Sequence, residues 1–223
     1  MSRALDAVVF DLDGVLVDSE AVWDGERRAV VEETGGTWQP GATRAMMGMS
    51  SPEWSRYLHE ELRVTLSPQE ISDRVVARMI DAYRDHLPLL PGAAAAVRQL
   101  AERWPLGVAS SANRPVIDAA LDGAGLADCF TATVSGDEVA RGKPAPDVYL
   151  EAARQLGVDP HHAAGIEDSS NGLRAASAAG MLVVAVPNRE FPPDEDALSL
   201  AALVIDSLDA LTETALLELA AQA

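Results

Sequence analysis

Two aspartates one residue apart, Asp11 and Asp13, leave the end of a short apolar run, Ala7-Val8-Val9-Phe10, and Gly14 follows at once. A β-branched and aromatic run this short reads as a buried strand of a parallel sheet. Ligands of open α/β sheets collect outside the carboxyl ends of such strands. Carboxylates delivered there are costly to bury unless a cation or a reaction uses them. An EF-hand loop would also open on alternating acids, but its twelfth position needs Glu, and here that position is Val22.

Later strand ends carry complementary groups. Leu106-Gly107-Val108-Ala109 runs into Ser110-Ser111-Ala112-Asn113, where a hydroxyl and the amides of a helix start make a cradle for an anion. Gly142-Lys143-Pro144 sets a lysine in a stiff turn. Ala163-Ala164-Gly165-Ile166 ends in Glu167-Asp168-Ser169-Ser170-Asn171-Gly172, a second acid pair suited to a hard divalent cation such as Mg²⁺. Acid pair, serine, lysine and acid pair, each after a strand, form a set suited to phosphate chemistry.

The elements that position these groups follow from periodicity and punctuation. Residues 20–88 read as helices without strands. A first helix runs from Glu20 to the Gly35-Gly36 stop, a second opens at Ser51-Pro52, and a third at the capping box Ser67-Pro68-Gln69-Glu70. Pro88-Leu89-Leu90-Pro91-Gly92 breaks the pattern as a hinge. Behind it helices at 93–103, 115–124, 146–156 and 171–179 alternate with strands at 105–110, 130–134, 163–166 and 182–186. A short run, Leu203-Val204-Ile205, then precedes a C-terminal helix. The expected fold is α/β, a doubly wound parallel sheet with an α-helical module inserted after its first strand.

Composition narrows the partners. The 223 residues are 48 % hydrophobic, enough for a substantial core, and the formal net charge is −18. Such a surface repels nucleic acid and anionic membrane, both bound by neutralising phosphates with Lys and Arg. No apolar run approaches a membrane span, no basic-then-apolar leader opens the chain, and the single cysteine, Cys129, excludes an internal disulfide. A cytoplasmic protein, a monomer or weak dimer acting on a small molecule, is the expectation.

The motifs Asp11-Leu12-Asp13-Gly14-Val15-Leu16 with Asp18-Ser19, Ser110, Lys143 in Gly-Lys-Pro-Ala-Pro-Asp-Val-Tyr, and Ile-Glu167-Asp168-Ser-Ser-Asn-Gly closely resemble the haloacid dehalogenase superfamily over nearly the whole chain. A helical insert directly after the first motif is similar to the cap of the branch containing β-phosphoglucomutase and phosphoglycolate phosphatase. The resemblance implies a Rossmann-like core (1–17 and 89–223), a helical cap (18–88) and an Mg²⁺-dependent phosphatase acting on a small phosphate monoester. It implies that Asp11 is the nucleophile and Asp13 the general acid and base. Ser110 and Lys143 would serve catalysis and, with Ser111 and Asn113, bind substrate. Mg²⁺ would be held by Asp11, the Asp13 backbone carbonyl and Asp168, with Glu167 nearby. Mutases of this branch carry a histidine and a cap arginine where this chain has Trp23 and Ser51, so hydrolysis is expected over sugar-phosphate mutation. A non-catalytic phosphate-ester-binding regulator is the remaining alternative. Candidate specificity residues are Glu20, Trp23 and the Met46-Met47-Gly48-Met49 turn.

Overall fold

The structure is a computed structural model that describes residues 4–46, 49–189 and 191–222. Met47 and Gly48, two of the candidate specificity residues, lie outside the described residues. Six parallel strands form one sheet: β1 (Ala7–Phe10), β2 (Leu106–Ser110), β3 (Phe130–Ser135), β4 (Ala163–Glu167), β5 (Leu182–Ala185) and β6 (Leu203–Val204), in the order β3-β2-β1-β4-β5-β6. The chain builds outward from β1 to β2 and β3, then returns to β4 on the other side. Beside β1, between the two directions of growth, lies the crevice where open sheets bind ligands. The register Phe10↔Val108 and Phe10↔Ile166 aligns the three central strands, so their carboxyl ends finish together.

Four helices, α1 (Glu20–Glu33), α2 (Ala42–Met46), α3 (Ser51–Glu60) and α4 (Pro68–Asp85), separate β1 from the rest of the sheet layers. Those layers hold α5 (Ala93–Ala101), α6 (Arg114–Ala124), α7 (Asp147–Leu156), α8 (Ser170–Ala178), α9 (Glu195–Leu198) and α10 (Glu213–Gln222). The strands are apolar throughout because both faces are covered. One face, with Val8, Phe10, Val108 and Ile166, shares a core that continues into the helical insert through Val30, Trp54, Leu58 and Met79. The other, with Val9, Ala109 and Val134, packs on Val148, Tyr149, Leu173 and Ala176 of α7 and α8.

The two crossings between insert and sheet are bonded to each other. Asp18 N–H donates to the Pro88 carbonyl (2.8 Å) and Leu90 N–H to that of Leu16 (3.0 Å). The expected capping box at Ser67 and Glu70 is present at the start of α4. At α3 the cap is Ser50, paired with Glu53, one residue before the expected Ser51. Ser51 therefore lies inside the helix with its hydroxyl free to reach outward. Helices α2 and α9, too short to leave a periodicity, were not expected. Among the described residues no helix is long and apolar enough to cross a membrane.

Candidate active site

The turn after β1 brings the first acid pair into place. Asp11 N–H still follows the sheet, donating to the Ile166 carbonyl (2.9 Å), while Gly14 takes φ 77° to reverse the chain. A Cβ on Gly14 would lie 2.1 Å from Asp168 Oδ2, so glycine is what lets the Asp168 carboxylate approach this turn. Gly172, at the start of α8, leaves room in the same way for the carboxylate of Glu167, which a Cβ would meet at 1.9 Å.

Asp11, Glu167 and Asp168 converge, with one oxygen from each within 4.8 Å of the others, and all three are buried. Lys143 reaches them from the loop after β3. Its Nζ is 3.0 Å from Asp11 Oδ1 and 2.6 Å from Glu167 Oε1, and the side chain is buried with them. Tyr149 donates its hydroxyl to the same Glu167 oxygen (2.8 Å), and Asp168 N–H (3.1 Å) and the Ser169 hydroxyl (3.2 Å) donate to the other. Both Glu167 oxygens are thus engaged, whereas Asp11 and Asp168 border the cavity.

The electrostatics follow from burial. Desolvation and the charge of Glu167 push the Asp11 carboxyl well above its ordinary range, against the pull of Lys143. Burial, Glu167 and Asp11 do the same to Asp168. Burial alone would favour the neutral amine of Lys143, but the charges of Asp11 and Glu167 prevail and hold it protonated. Three buried carboxylates therefore face one ammonium. Hard oxygen donors with uncompensated negative charge are what a divalent cation of the Mg²⁺ type takes, and these residues fit such an ion.

Asp13 stands apart from this cluster. Its Oδ1 accepts from the Ser19 hydroxyl (2.5 Å) and the Trp23 indole N–H (3.0 Å), and its Oδ2 from the Ser110 hydroxyl (3.3 Å). Three donors hold the carboxylate at the cavity wall. For Asp13, only the backbone carbonyl is left for the metal role the resemblance assigns.

The expected anion-binding residues divide. Ser110 is fully buried, donating to Asp13 and accepting from Ala112 N–H (3.0 Å). Ser111 and Ala112 border the cavity instead. Asn113 does not: its Oδ1 accepts from the Ser51 hydroxyl and its Nδ2 donates to Asp137, both at 2.6 Å. It ties α3 to the loop after β3, with both polar atoms of its side chain engaged there rather than lining the cavity. The start of α8, with Ser169, Ser170 and Asn171 on the cavity, adds a helix N-terminus suited to an anion.

Over these groups the helical insert roofs a cavity of about 560 Å³ that stays partly open to solvent. Glu20, Trp23, Met46 and Met49 of the sequence candidates line it, joined by Arg27, Arg44 and Trp54, which the sequence did not single out.

A buried carboxylate at a central strand end, a buried lysine, an acid pair and a roof of inserted helices define a phosphoryl-transfer enzyme on a doubly wound sheet. The comparisons specify it. Residues 5–180 match the model of the haloacid dehalogenase-like hydrolases, and the chain belongs to that family. It is 35 % identical to hexitol phosphatase B of Escherichia coli (strain K12), over 96 % of this chain and 98 % of that protein. It is 31 % identical to the fructose-1-phosphate phosphatase YqaB of the same organism, over 80 % of this chain and 95 % of that one. The crystal structure of CbbY from Rhodobacter sphaeroides in complex with phosphate superposes with a TM-score of 0.84 at 28 % identity, covering 93 % of this chain and 96 % of that one. The protein is a phosphoric monoester hydrolase of this family.

Proposed function

We propose that the protein hydrolyses a small phosphate monoester, a sugar phosphate or a similar ester, through an aspartyl-phosphate on Asp11, with Mg²⁺ as cofactor. The observation that carries this reading is the pairing of Asp11 with Lys143 at 3.0 Å beside Glu167 and Asp168, in the wall of a cavity roofed by the inserted helices. Names of relatives that act on hexitol phosphates and fructose 1-phosphate support the substrate class.

In this reading an Asp11 carboxylate oxygen attacks phosphorus and the ester C–O–P linkage breaks on the phosphorus side. Asp13, held by Ser19, Trp23 and Ser110, gives its proton to the departing alkoxide. Water then attacks the acyl phosphate, Asp13 takes the proton back, and free Asp11 and inorganic phosphate result. Lys143 and the backbone around Ser111 and Ala112 hold the transferring oxygens, while Ser110 acts by orienting Asp13. Asp11, the Asp13 carbonyl and Asp168 would hold Mg²⁺, with Glu167 positioning Lys143. The ion would supply charge neutralisation between the nucleophile and the phosphate. Residues 18–88 act as a cap that excludes bulk water and opens about the crossings at residues 16–19 and 88–92.

Water is the acceptor rather than a second sugar hydroxyl. Trp23 and Ser51 occupy the positions at which mutases carry their histidine and arginine, and here both are consumed by bonds to Asp13 and Asn113. The test is a phosphate-release screen over hexose phosphates, polyol phosphates and nucleotides, with Mg²⁺ and with EDTA. Release that stops in EDTA and returns with Mg²⁺ is expected. Full activity in EDTA, or isomerisation of glucose 1-phosphate outrunning phosphate release by ³¹P NMR, would overturn the reading.

A further inference from the structure

The helical wall of the cavity holds a largely buried cation that has no hydrogen-bond acceptor among the described residues. Arg27 is 8 % exposed, and its guanidinium carbon lies 4.8 Å from the ring centre of Trp23 and 5.0 Å from that of Trp54. Its Nε is buried without a hydrogen-bond partner, and among the described residues no carboxylate stands within ion-pairing distance of it. Its neighbours at the cavity differ. Lys143 is paired with Asp11 and Glu167, Arg174 with Asp194 and Asp196, and Arg44 is exposed to water.

A guanidinium placed this way is costly, because desolvation is only partly offset by the two indole faces. A methionine or leucine would fill the space between the rings without that cost. Burial lowers the pKa of Arg27 to about 10, against the charges of Glu20, Asp13 and Asp24, so the group stays cationic at neutral pH. Neutral hydroxyls would be served by uncharged donors. A charged planar fork in a slot walled by indole, where low polarity strengthens each charge-assisted bond, is suited to a carboxylate or phosphate.

We propose that Arg27 is a specificity-determining residue, and that it receives a second anionic group, a carboxylate or a second phosphate, at the end of the substrate remote from the ester that is cleaved. This rests on the phosphatase reading above and names the class of ester within it. Since the whole protein carries a net charge of −18, an anionic substrate end needs such a local counter-charge.

The test uses phosphonates, whose C–P bond the enzyme leaves intact, and measures their binding to the full chain by calorimetry in the presence of Mg²⁺. Three series of matched chain length end in a carboxylate, a second phosphonate or a hydroxyl. The wild type is expected to bind one or both anion-ended series about tenfold or more tighter than the hydroxyl-ended series. In Arg27→Met and Arg27→Gln that preference disappears, and in Arg27→Lys, which keeps the charge but not the fork, it falls to an intermediate value. Equal or tighter binding of the hydroxyl-ended series by the wild type overturns the assignment, and does so even if neither neutral variant folds. A preference that survives in folded Arg27→Met overturns it as well. Failure of the phosphatase reading would show separately, as no phosphate release from any ester or from p-nitrophenyl phosphate, while the phosphonate preference stays measurable.

Discussion

On the sheet side of the cavity four charged groups are held by neighbours: Lys143 bridges Asp11 and Glu167, Tyr149 and Ser169 fix Glu167, and Ser110 fixes Asp13. On the helical side Arg27 lies between Trp23 and Trp54, and among the described residues neither it nor Glu20 has an ion pair. The first wall is preorganised for a reaction whose charges are the same for any phosphate ester. The second is left to be completed by the part of the substrate that differs from ester to ester. Changes on the sheet side should therefore alter turnover for all substrates together, and changes on the helical side the ranking among them.

The largest break is expected at Asp11. Asp11→Asn should lower kcat on the order of 10⁵-fold for every ester, as loss of a covalent nucleophile does. Steady-state assays against several esters check it, and a variant retaining a tenth of the activity would remove Asp11 from its role.

Next comes Asp168→Ala, expected to raise the Mg²⁺ concentration for half activity by about 100-fold. Burial and its acidic neighbours hold the Asp11 and Asp168 carboxyls above their ordinary range. Protons therefore compete with the cation at higher pH than at exposed carboxylates. The half-activating Mg²⁺ concentration of the wild type should rise as pH is lowered from neutrality, and a pH-independent value would contradict this. Gly14→Ala should give a milder version of the same phenotype, because its Cβ displaces Asp168, together with about 1–3 kcal/mol of lost stability from a strained φ. Thermal denaturation with and without Mg²⁺ separates the two contributions.

Trp23→Phe sharpens the comparison because Trp23 belongs to both walls. Its ring lines the cavity while its N–H donates to Asp13 at 3.0 Å. Losing that donor should lower kcat about tenfold for esters with poor leaving groups, with a much smaller effect on an aryl phosphate whose departure needs no proton. A uniform loss would mean that the indole packs without orienting the acid. The smallest effect is expected from Ser51→Ala, which leaves Asn113 one donor short and should cost about 1 kcal/mol of stability. Denaturant titration measures it.

How much of this was legible in the sequence follows the same division. Strand ends were readable because buried parallel strands are short apolar runs, and an acid or lysine directly after one has few other reasons to be there. The six-strand sheet and the grouping of Asp11, Lys143, Glu167 and Asp168 follow from that signal. Arg27 was hidden in Asp24-Gly25-Glu26-Arg27-Arg28, which reads as a solvated helix face. Its burial comes from Trp54 on another helix, a contact without local trace. Asn113 erred the other way. An asparagine after a strand looks like an anion donor, but here its Nδ2 donates to Asp137, and Ser51, freed when Ser50 became the cap of α3, donates to its Oδ1. Tyr149, which fixes Glu167, closes the Gly-Lys-Pro-Ala-Pro-Asp-Val-Tyr motif, but nothing in the sequence assigned it a partner.

The two indoles flanking Arg27, with ring centres 6.1 Å apart, carry a consequence of another kind. Indole emission responds to the polarity and charge of its surroundings, and Trp23 and Trp54 both face the cavity beside a cation whose charge an incoming anion would neutralise. Of the other two tryptophans, Trp38 stacks under Arg28 and Trp104 is bonded to the Leu5 carbonyl, both outside the cavity lining. Phenylalanine at those two positions would leave an unlabelled protein whose own fluorescence reports arrival and departure of its ligand in real time.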